Sequence, residues 1–315
     1  MSKDKENIEL KEKLRIIENH LQTFNYHLFQ NSDIYARILV QNEIDHYQRI
    51  RIIGSTGISE VFQVYNERDF ALKIIHIHSH IQNDNNKGKE KEADKGMETY
   101  DNNKIKRFLS EYEKMSRIIH PNVLKTYGIC YGDENHHPSL LLEYCSNNLK
   151  SCVSTFTNED ANRVIIEICS GMAYIHQCGV IHGNLKPENI LINHDKHVKI
   201  CDFGISTLSA EITHVINADT LAYMSPEQHF ENKCSNQSDV FAFGLIMLFI
   251  LTRGYPPKIS LIDIILNKDI QFPSDTTTEF QNIIRSCLSG NPEERPSFLS
   301  LYNSLTSGNV HLISE

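Results

Sequence analysis

Three features that often reveal a protein's compartment or partner are missing from this sequence. It has no Cys-x-x-Cys pair, no apolar segment at its start and no block of basic residues. The eight cysteines are scattered over 315 residues, a pattern typical of reduced thiols, and we therefore expect a cytoplasmic protein. The longest apolar stretch, Val240–Leu251, is shorter than the roughly 18 residues that cross a bilayer, so it predicts a buried core helix.

The charge balance argues against another class of partner. Lys and Arg total 31 and Asp and Glu total 40, so that the net charge is −9. We expect such a chain to bind neither nucleic acid nor an anionic membrane through general electrostatic attraction. Hydrophobic residues make up 40% and charged residues 23% of the chain, which is ordinary for a globular protein, and the length predicts about two domains or lobes.

The first 46 residues are predicted to form a helical extension. Within residues 5–30, apolar side chains alternate at spacings of four and three, namely Leu10, Leu14, Ile17, Leu21, Phe24 and Leu28. This seam indicates an amphipathic helix, which either pairs with a second copy as a coiled coil or docks on the body of its own chain. Because the seam spans fewer than three full heptads, which is short for an independent coiled coil, docking is favoured.

Short strands dominate the next part of the chain, and helices dominate the last part. Strands are predicted at 49–53, 61–65, 70–75, 140–142, 180–181, 190–192 and 198–200, and helices at 105–119, 161–177, 238–252, 260–267, 277–288 and 297–305. Residues 81–104 are polar and lack the apolar groups that would order them, so they predict a disordered insertion. This order of elements indicates an α+β protein with two lobes.

Five motifs follow one another along the chain. They are Gly54–Val61 (GSTGISEV), Phe70–Lys73 (FALK), His182–Asn189 (HGNLKPEN), Asp202–Gly204 (DFG) and Thr220–Glu227 (TLAYMSPE). Together they resemble the signature set of the eukaryotic protein kinase family, of the serine/threonine, tyrosine-kinase-like type. The resemblance covers residues 47–306 and implies a bilobal fold, with an antiparallel-sheet N-lobe at 47–143, a mainly helical C-lobe at 144–306 and a tail at 307–315.

The resemblance implies a site for ATP and Mg²⁺. The residues that match nucleotide-binding positions are Gly54, Gly57, Val61, Ala71, Lys73, Glu111, Leu142, Glu143, Cys145 and Leu191. Asn189 and Asp202 match the positions that hold Mg²⁺ through oxygen atoms. Thr56 and Ser59 stand where the family has its second and third loop glycines, and side chains at these positions weaken the expected contact between the loop and phosphates.

The catalytic loop departs from the family at two neighbouring positions. Gly183 replaces an Arg that contacts a phosphorylated activation segment, and Asn184 replaces the Asp that takes the proton of the substrate hydroxyl. An Asn amide accepts a hydrogen bond, but it is no base near neutral pH. Lys186 in the same loop is kept. The triplet His182–Asn184 is similar to that of the Janus kinase pseudokinase domains.

The structural positions of the family are filled as well. The resemblance implies that Phe203 stacks with His182, and that Asp239 braces the catalytic loop. It also implies an ion pair between Glu227 and Arg295. This frame around an altered base leaves two hypotheses open. The first is a pseudokinase that regulates or scaffolds a partner protein, with self-association through the N-terminal helix as a further interaction. The second is a genuine serine/threonine kinase that transfers the γ-phosphate of ATP to protein hydroxyls.

One competing pattern lies outside this resemblance. His76, His78 and His80 alternate along the chain, so they would share one face of a strand, where a zinc ion is one interpretation. Because no carboxylate or cysteine with ligand-like spacing accompanies them, we interpret the three histidines as a solvated strand end or loop.

Overall fold

The computed structural model of the protein describes most of both predicted lobes. The described residues are 37–56, 59–76, 78–79, 99–100, 112, 115–130, 136–203, 221–255, 263 and 270–307. Several predictions fall outside these residues: those for the helix 5–30, Gly57, Glu111 and the chain beyond residue 307, together with most of the insertion 81–104 and of the helices 105–119 and 260–267.

A six-stranded sheet forms the N-lobe. In chain order the strands of this part are β1 (Arg37–Leu39), β2 (Gln48–Ser55), β3 (Ser59–Asn66), β4 (Arg68–Ile75), β5 (His78–Ser79), β6 (Thr99–Tyr100), β7 (Thr126–Cys130) and β8 (Ser139–Glu143). The sheet has the order β1-β7-β8-β4-β3-β2, while β5 and β6 pair with each other. The pairings among β2, β3, β4, β8 and β7 are antiparallel, which confirms the predicted sheet; β7 was not predicted.

The predicted helical extension is corrected only at its end, over residues 37–46, because the first 36 residues lie outside the described residues. Arg37–Leu39 is a strand that pairs in parallel with β7, and a short helix, α1 (Gln41–Asp45), follows it. An extended conformation is favoured here because the edge of β7 offers backbone groups that an added strand can satisfy. Leu39 and Ile44 are then buried, at 2% and 5% exposure, against the outer face of the sheet.

Successive side chains of β4 point to opposite faces of the sheet and pack in two different hydrophobic cores. Three of its residues pack beneath β1 and α1 in a small outer core: Phe70, Leu72 and Ile74. Ala71 and Ile75 belong instead to the large core that includes residues of both lobes. Lys73 lies between them and shares their face, since successive side chains of a strand point to opposite sides. The lysine is thereby directed toward the cleft.

Helices form most of the C-lobe, as predicted. They are α2 (Leu149–Cys152), α3 (Asn158–Gln177), α4 (Pro226–Glu231), α5 (Asn236–Leu251), α6 (Thr278–Cys287) and α7 (Phe298–Thr306). Thr157 and Ser235 begin α3 and α5 as N-caps, because their side chains accept hydrogen bonds from backbone N–H groups of the first turn. Residues 238–250 of α5 are buried, which confirms the predicted core helix.

None of the helices that the structure describes is long and apolar enough to cross a membrane.

Two candidate site residues lie at one end of a small sheet next to the cleft. Its antiparallel strands are β9 (Asn147–Asn148), β10 (Ile190–Ile192) and β11 (Val198–Ile200). Asn189 immediately precedes β10, and Asp202 follows β11 after one intervening residue. The pairing of β10 with β11 therefore brings the two residues to the same end of this sheet.

The strand predicted at Val180–Ile181 is wrong, because these residues complete the end of α3. Gly179 has a φ of +73°, the left-handed conformation that commonly ends a helix. The backbone N–H of Val180 then donates to the carbonyl of Ile175 over 3.1 Å. That hydrogen bond satisfies a carbonyl of the last helical turn and leaves no strand partner for this segment.

Two further predictions are corrected. The helix predicted over residues 105–119 does not include Ile118 and Ile119, which follow the helical residues 115–117. Pro121 disfavours helical conformation in the residue before it, so the helix ends upstream of this position. Thr99–Tyr100, inside the insertion predicted to be disordered, forms the strand β6 that pairs with His78–Ser79.

Candidate nucleotide and catalytic site

Lys73 and Asp202 meet in the cleft. Lys73 Nζ lies 2.8 Å from Asp202 Oδ1, and the lysine is 9% exposed. The lysine charge holds the pKa of Asp202 below its usual range, against the opposing effect of burial, and Lys186 adds a smaller effect in the same direction as the lysine. Asp202 is therefore an ionised carboxylate, held between an N-lobe strand and the C-lobe.

A hydrogen bond from its side-chain nitrogen orients Asn189. It is buried at 6% exposure, and its Nδ2 donates to the backbone carbonyl of Asn184 over 2.8 Å. Because the nitrogen is used in this way, the amide presents Oδ1 as its acceptor. The backbone carbonyl of Asn189 accepts from the N–H of Cys201 over 3.0 Å, which ties the catalytic loop to the residue before Asp202.

The donor set fits Mg²⁺. Asp202 supplies carboxylate oxygens and Asn189 supplies an amide oxygen, and these are the hard ligands that Mg²⁺ takes, usually from one or two carboxylates together with substrate phosphates. Among the described residues, no group of three or more His, Cys, Asp and Glu side chains could hold a metal ion.

Asp239 holds the catalytic loop in place from the first turn of α5. Its Oδ2 accepts from the backbone N–H of His182 over 2.9 Å, and its Oδ1 accepts from the backbone N–H of Gly183 over 2.7 Å. His176 Nε2 lies 2.8 Å from Oδ2. With 1% exposure, this carboxylate makes charge-assisted hydrogen bonds that are about twice as strong as neutral ones.

His182 is a structural residue rather than a titrating one. Its side chain is fully buried, and burial lowers the pKa of its imidazole despite the nearby carboxylate of Asp239. The ring lies 6.2 Å from the ring of Phe203, edge to face. The neutral ring thus packs against the residue that follows Asp202.

The two altered positions of the catalytic loop lie within this frame. Gly183 has a φ of +74°, which glycine adopts without strain. Asn184 Oδ1 is buried and has no hydrogen-bond partner among the described residues. It faces a small cavity lined by residues that include Gly183, Asn184, Tyr223, Met224, Gln228 and Asp239. An amide in this place can orient a hydroxyl, but it cannot take its proton.

Apolar residues on three neighbouring strands of the N-lobe sheet, β3, β4 and β8, form a wall of the cleft. Ala71 of β4 lies across from Leu142 of β8, and Val61 of β3 lies across from Lys73. Leu142 is 5% exposed and Ala71 is 6% exposed. Leu191 of β10 is half-buried. These side chains can sandwich a flat apolar ring, which is the function that the resemblance implies for them.

The segment after β8 joins the two lobes. Glu143 Oε1 lies 2.9 Å from Lys199 Nζ, so a carboxylate at the end of the N-lobe sheet pairs with β11. Cys145, two residues later, is half-buried, and burial raises the pKa of its thiol to about 12 with a further contribution from Glu143. Cys145 is therefore a protonated thiol at neutral pH and not a nucleophile.

The loop between β2 and β3 retains its first glycine. Gly54 lies across from Val61, and the added Gly57 lies outside the described residues. Thr56 and Ser59 bond to each other across the turn.

A bidentate ion pair fixes the first turn of α4. Arg295 donates to both carboxylate oxygens of Glu227, over 2.7 and 2.9 Å. Burial raises the pKa of Glu227, but hydrogen bonds, chiefly from Arg295, outweigh this effect and leave the pKa below its usual range. Ser238 Oγ also donates to Glu227, over 2.9 Å. The pair connects α4, α5 and the segment before α7.

Comparison with known families gives the fold a name. The model of the protein kinase domain matches residues 47–305. The chain belongs to the protein kinase family. Its kinase domain is 32% identical over 205 residues to the serine/threonine-protein kinase PLK4 of Danio rerio, a match that covers 61% of this chain and 22% of that protein.

Two other relatives are similar over longer segments. The serine/threonine-protein kinase PrkC of Bacillus subtilis is 29% identical over 220 residues, which cover 67% of this chain and 31% of that protein. The serine/threonine/tyrosine-protein kinase HT1 of Arabidopsis thaliana is 27% identical over 251 residues, which cover 76% of this chain and 60% of that protein. The chain thus spans less than two thirds of the length of each of these relatives.

Two residues of the kinase site were missed from sequence. His176, near the end of the amphipathic helix α3, forms a hydrogen bond with Asp239. Nothing in the sequence around His176 indicated this contact. Gln228 Nε2 donates to the carbonyl of Gly183 over 3.3 Å, so that α4 helps to hold the catalytic loop. A glutamine next to Glu227 carries no pattern that predicts such a role.

Proposed function

We propose that this kinase domain is a nucleotide-binding pseudokinase, or a strongly attenuated serine/threonine kinase, that acts in the cytoplasm as a regulator or scaffold of a partner protein. The observation that carries the proposal is Asn184. Its amide occupies the place of the catalytic base inside a loop that Asp239 and Asn189 hold in an ordered conformation. The frame is kept and the base is absent.

Nucleotide binding is supported by the groups that surround the cleft. Lys73 is placed to receive phosphates, Ala71 and Leu142 offer an apolar wall, and Asp202 with Asn189 supplies oxygen ligands for Mg²⁺. When bound, Mg²⁺ and ATP supply charge neutralisation and the phosphoryl group. The residues of this chain bind and orient these groups, and the amide of Asn184 cannot take the proton of a hydroxyl near neutral pH.

The size of the expected loss follows from the chemistry of phosphoryl transfer. Positioning and electrostatic stabilisation do most of the work in this reaction, while general-base assistance contributes typically about 10²- to 10⁴-fold. Asn184 therefore predicts a rate lower by about that factor than the rate of a kinase with an Asp at this position.

An active serine/threonine kinase is the second candidate. It is favoured by the contact of Lys73 with Asp202 and by the orientation of Asn189, since the resemblance implies phosphate and metal contacts for these residues. As a pseudokinase or as a kinase, the domain acts on another protein, with ATP as its small ligand. Self-association through residues 5–30 is a further proposal, and we propose no nucleic-acid or membrane partner.

Phosphate transfer from labelled Mg·ATP to a generic protein substrate tests the proposal. The proteins compared are the wild type, Asn184→Asp, Lys73→Met and the double variant. We expect wild type to match Lys73→Met and Asn184→Asp to gain activity, while the double variant loses that gain. A wild-type rate close to that of Asn184→Asp would show that the enzyme does not need an Asp at this position and would replace the leading proposal with the second candidate.

A thermal-shift titration with Mg·ATP tests nucleotide binding separately from catalysis. A ligand at 100 times its dissociation constant stabilises the folded state by about 2.7 kcal/mol, so a shift should be visible even without turnover. Absence of a shift at millimolar nucleotide would contradict the binding part of the proposal.

A further inference from the structure

The side-chain amide of Gln228, in α4, makes four hydrogen bonds. Its Oε1 accepts from the backbone N–H of Ser225 over 3.2 Å and from Ser225 Oγ over 3.1 Å. Its Nε2 donates to the carbonyl of Gly183 over 3.3 Å and to Cys234 Sγ over 3.4 Å. Because the backbone N–H of Ser225 can only donate, the amide oxygen must face Ser225, and the amide nitrogen therefore faces the catalytic loop.

Gly183 is the residue of the catalytic loop that depends most on such contacts. It has no side chain and a φ of +74°, so only its two backbone groups can anchor it. Its N–H donates to Asp239 Oδ1 over 2.7 Å, and its carbonyl accepts from Gln228 Nε2. The first contact comes from α5 and the second from α4, so two helices hold this one residue from its two ends.

The peptide group after Gly183 links this contact to the candidate metal ligand. Its carbonyl belongs to Gly183 and its N–H belongs to Asn184, and the two move together because a peptide bond is planar. The N–H donates to His182 Nδ1 over 3.3 Å. The carbonyl of Asn184 then accepts from Asn189 Nδ2 over 2.8 Å, the hydrogen bond that makes Oδ1 the acceptor of Asn189. A continuous path of bonds thus leads from α4 to this oxygen.

We propose that Gln228 is a positioning residue, which holds the peptide group between Gly183 and Asn184 and through it directs the ligand oxygen of Asn189. The resemblance to kinases implies an Arg at position 183 that reaches a phosphorylated activation segment. Here the helix that follows this segment bonds directly to the loop backbone, and the loop is held without a phosphate. The part that concerns Asn189 rests on the proposed binding of Mg·ATP and deepens it.

Gln228→Glu breaks the contact with the loop while it keeps the contact with Ser225. One carboxylate oxygen replaces Nε2 and repels the carbonyl of Gly183, and the other oxygen still accepts from Ser225. Hydrogen exchange of the full chain, measured by mass spectrometry at pH 7, reports the effect on the loop. Because one hydrogen bond of the loop is lost, the peptide that contains residues 182–185 should exchange about five- to tenfold faster than in wild type.

Three comparisons control this measurement. Gln237→Glu is the matched variant, because Gln237 also donates its Nε2 to a backbone carbonyl, that of Arg295, over 2.9 Å; its catalytic loop should exchange as in wild type. Gln228→Met keeps the length of the side chain without adding a charge, so it should loosen the loop as Gln228→Glu does and replaces that variant if the charge prevents folding. Wild type treated with a phosphatase should exchange like untreated wild type.

The effect of Mg²⁺ on ATP binding separates positioning from a general loss of stability. Isothermal titration calorimetry with ATP is performed once in Mg²⁺ and once in EDTA. In wild type, Mg²⁺ should strengthen the binding of ATP. In Gln228→Glu this gain should fall by about tenfold, as expected when the support of a metal ligand is removed, while the affinity in EDTA stays unchanged. A merely structural role of Gln228 would change both affinities or neither.

The outcomes distinguish this inference from the function on which it partly rests. If both Gln228 variants exchange like wild type in the loop, or if phosphatase treatment loosens the loop of wild type, the proposal is overturned. It is also overturned if the loop loosens but the gain from Mg²⁺ stays the same, since Asn189 then keeps its direction without Gln228. If no protein binds ATP, nucleotide binding is refuted, while hydrogen exchange still decides whether Gln228 holds the loop.

Discussion

Two neighbouring residues of this loop, Gly183 and Asn184, stand where the resemblance to kinases implies an Arg and an Asp. Asn184 lacks the negative charge of a base, and Gly183 lacks a guanidinium that could reach the activation segment. Neither change disturbs the backbone, because Asp239 accepts the N–H groups of both His182 and Gly183. At the scale of single residues, the hydrogen bonds of Asp239 hold this loop, and the proposed loss of chemistry concerns the side chain of Asn184.

The ion pair of Glu227 with Arg295 gives a stability that depends on pH in a defined direction. The pKa of Glu227 is lowered in the folded protein from its ordinary value of 4.5. Its contribution to stability is therefore fully present above about pH 4.5 and is lost as the pH falls through the lower, folded-state pKa. Glu227→Gln leaves Arg295 buried without a counter-charge, which should lower the free energy of unfolding by about 3 kcal/mol at pH 7.

Urea unfolding of wild type and Glu227→Gln between pH 7 and pH 3.5 measures this difference. The gap between the two proteins should narrow as the pH falls, because the wild-type carboxyl then becomes protonated. Glu231→Gln, an exposed change in the same helix, is the control and should unfold like wild type. A gap that stays constant over the whole range would show that the stability does not come from the ionised pair.

At the scale of elements, β1 and α1 extend the N-lobe beyond the part that matches the family. The match begins at residue 47, yet Arg37–Leu39 continues the sheet and Ile44 belongs to the outer core. That core lies on the back of β4 and β8, the strands that hold Lys73 and Leu142. The segment from 37 to 45 thus supports the nucleotide site from behind.

A pair of neighbouring substitutions tests the support given by β1. Leu39 is 2% exposed, whereas Val40 is 62% exposed. Leu39→Ala removes buried apolar surface and leaves a cavity, which should lower the free energy of unfolding by about 2–3 kcal/mol. Val40→Ala changes an exposed side chain and should stay within about 0.5 kcal/mol of wild type. Equal effects of the two in urea unfolding would mean that β1 does not pack on the sheet.

The strands and helices that sequence predicted well are those with a clear period. Alternating apolar residues predicted β3 and β4, and the unbroken apolar run predicted α5, because burial on one or all sides dictates these patterns. β1 and β7 were missed since their identity depends on pairing between residues about 90 positions apart, Arg37 with Gly128. Such long-range contacts leave no mark on local periodicity.

In the candidate site too, sequence motifs predicted some features, whereas others depend on contacts that the sequence does not reveal. The motifs predicted a common site for Lys73, Asn184, Asn189 and Asp202. In the structure, Lys73 contacts Asp202 and Asn189 bonds to Asn184. The hydrogen bonds between Thr56 and Ser59, in contrast, could not be predicted from sequence. The sequence shows that two glycines are replaced, and only the geometry shows that the replacements bond to each other and use a loop N–H.

At the scale of the whole molecule, the contact of Lys73 with Asp202 joins a strand of the N-lobe to the C-lobe. A double-mutant cycle measures how much this contact couples the lobes. Lys73→Met and Asp202→Asn should each destabilise the nucleotide-free protein, and the double variant should be less affected than the sum. Because Lys73 is buried while the side chain of Asp202 is 40% exposed, the coupling should be about 1 kcal/mol, near the upper end for exposed pairs and below that of a fully buried pair.

Lys233 and Glu231 provide the matched control for this cycle. They form an ion pair of similar length, 2.7 Å, but both side chains are exposed and both lie within one segment of the C-lobe. Solvent screening should leave no measurable coupling between them. If the cycle of Lys73 with Asp202 also shows none, the contact does not hold the lobes together. The position of the cleft would then depend on other contacts between the lobes, among them the large core that both lobes share, the ion pair of Glu143 with Lys199 and the pairing of Val123 with Ile200.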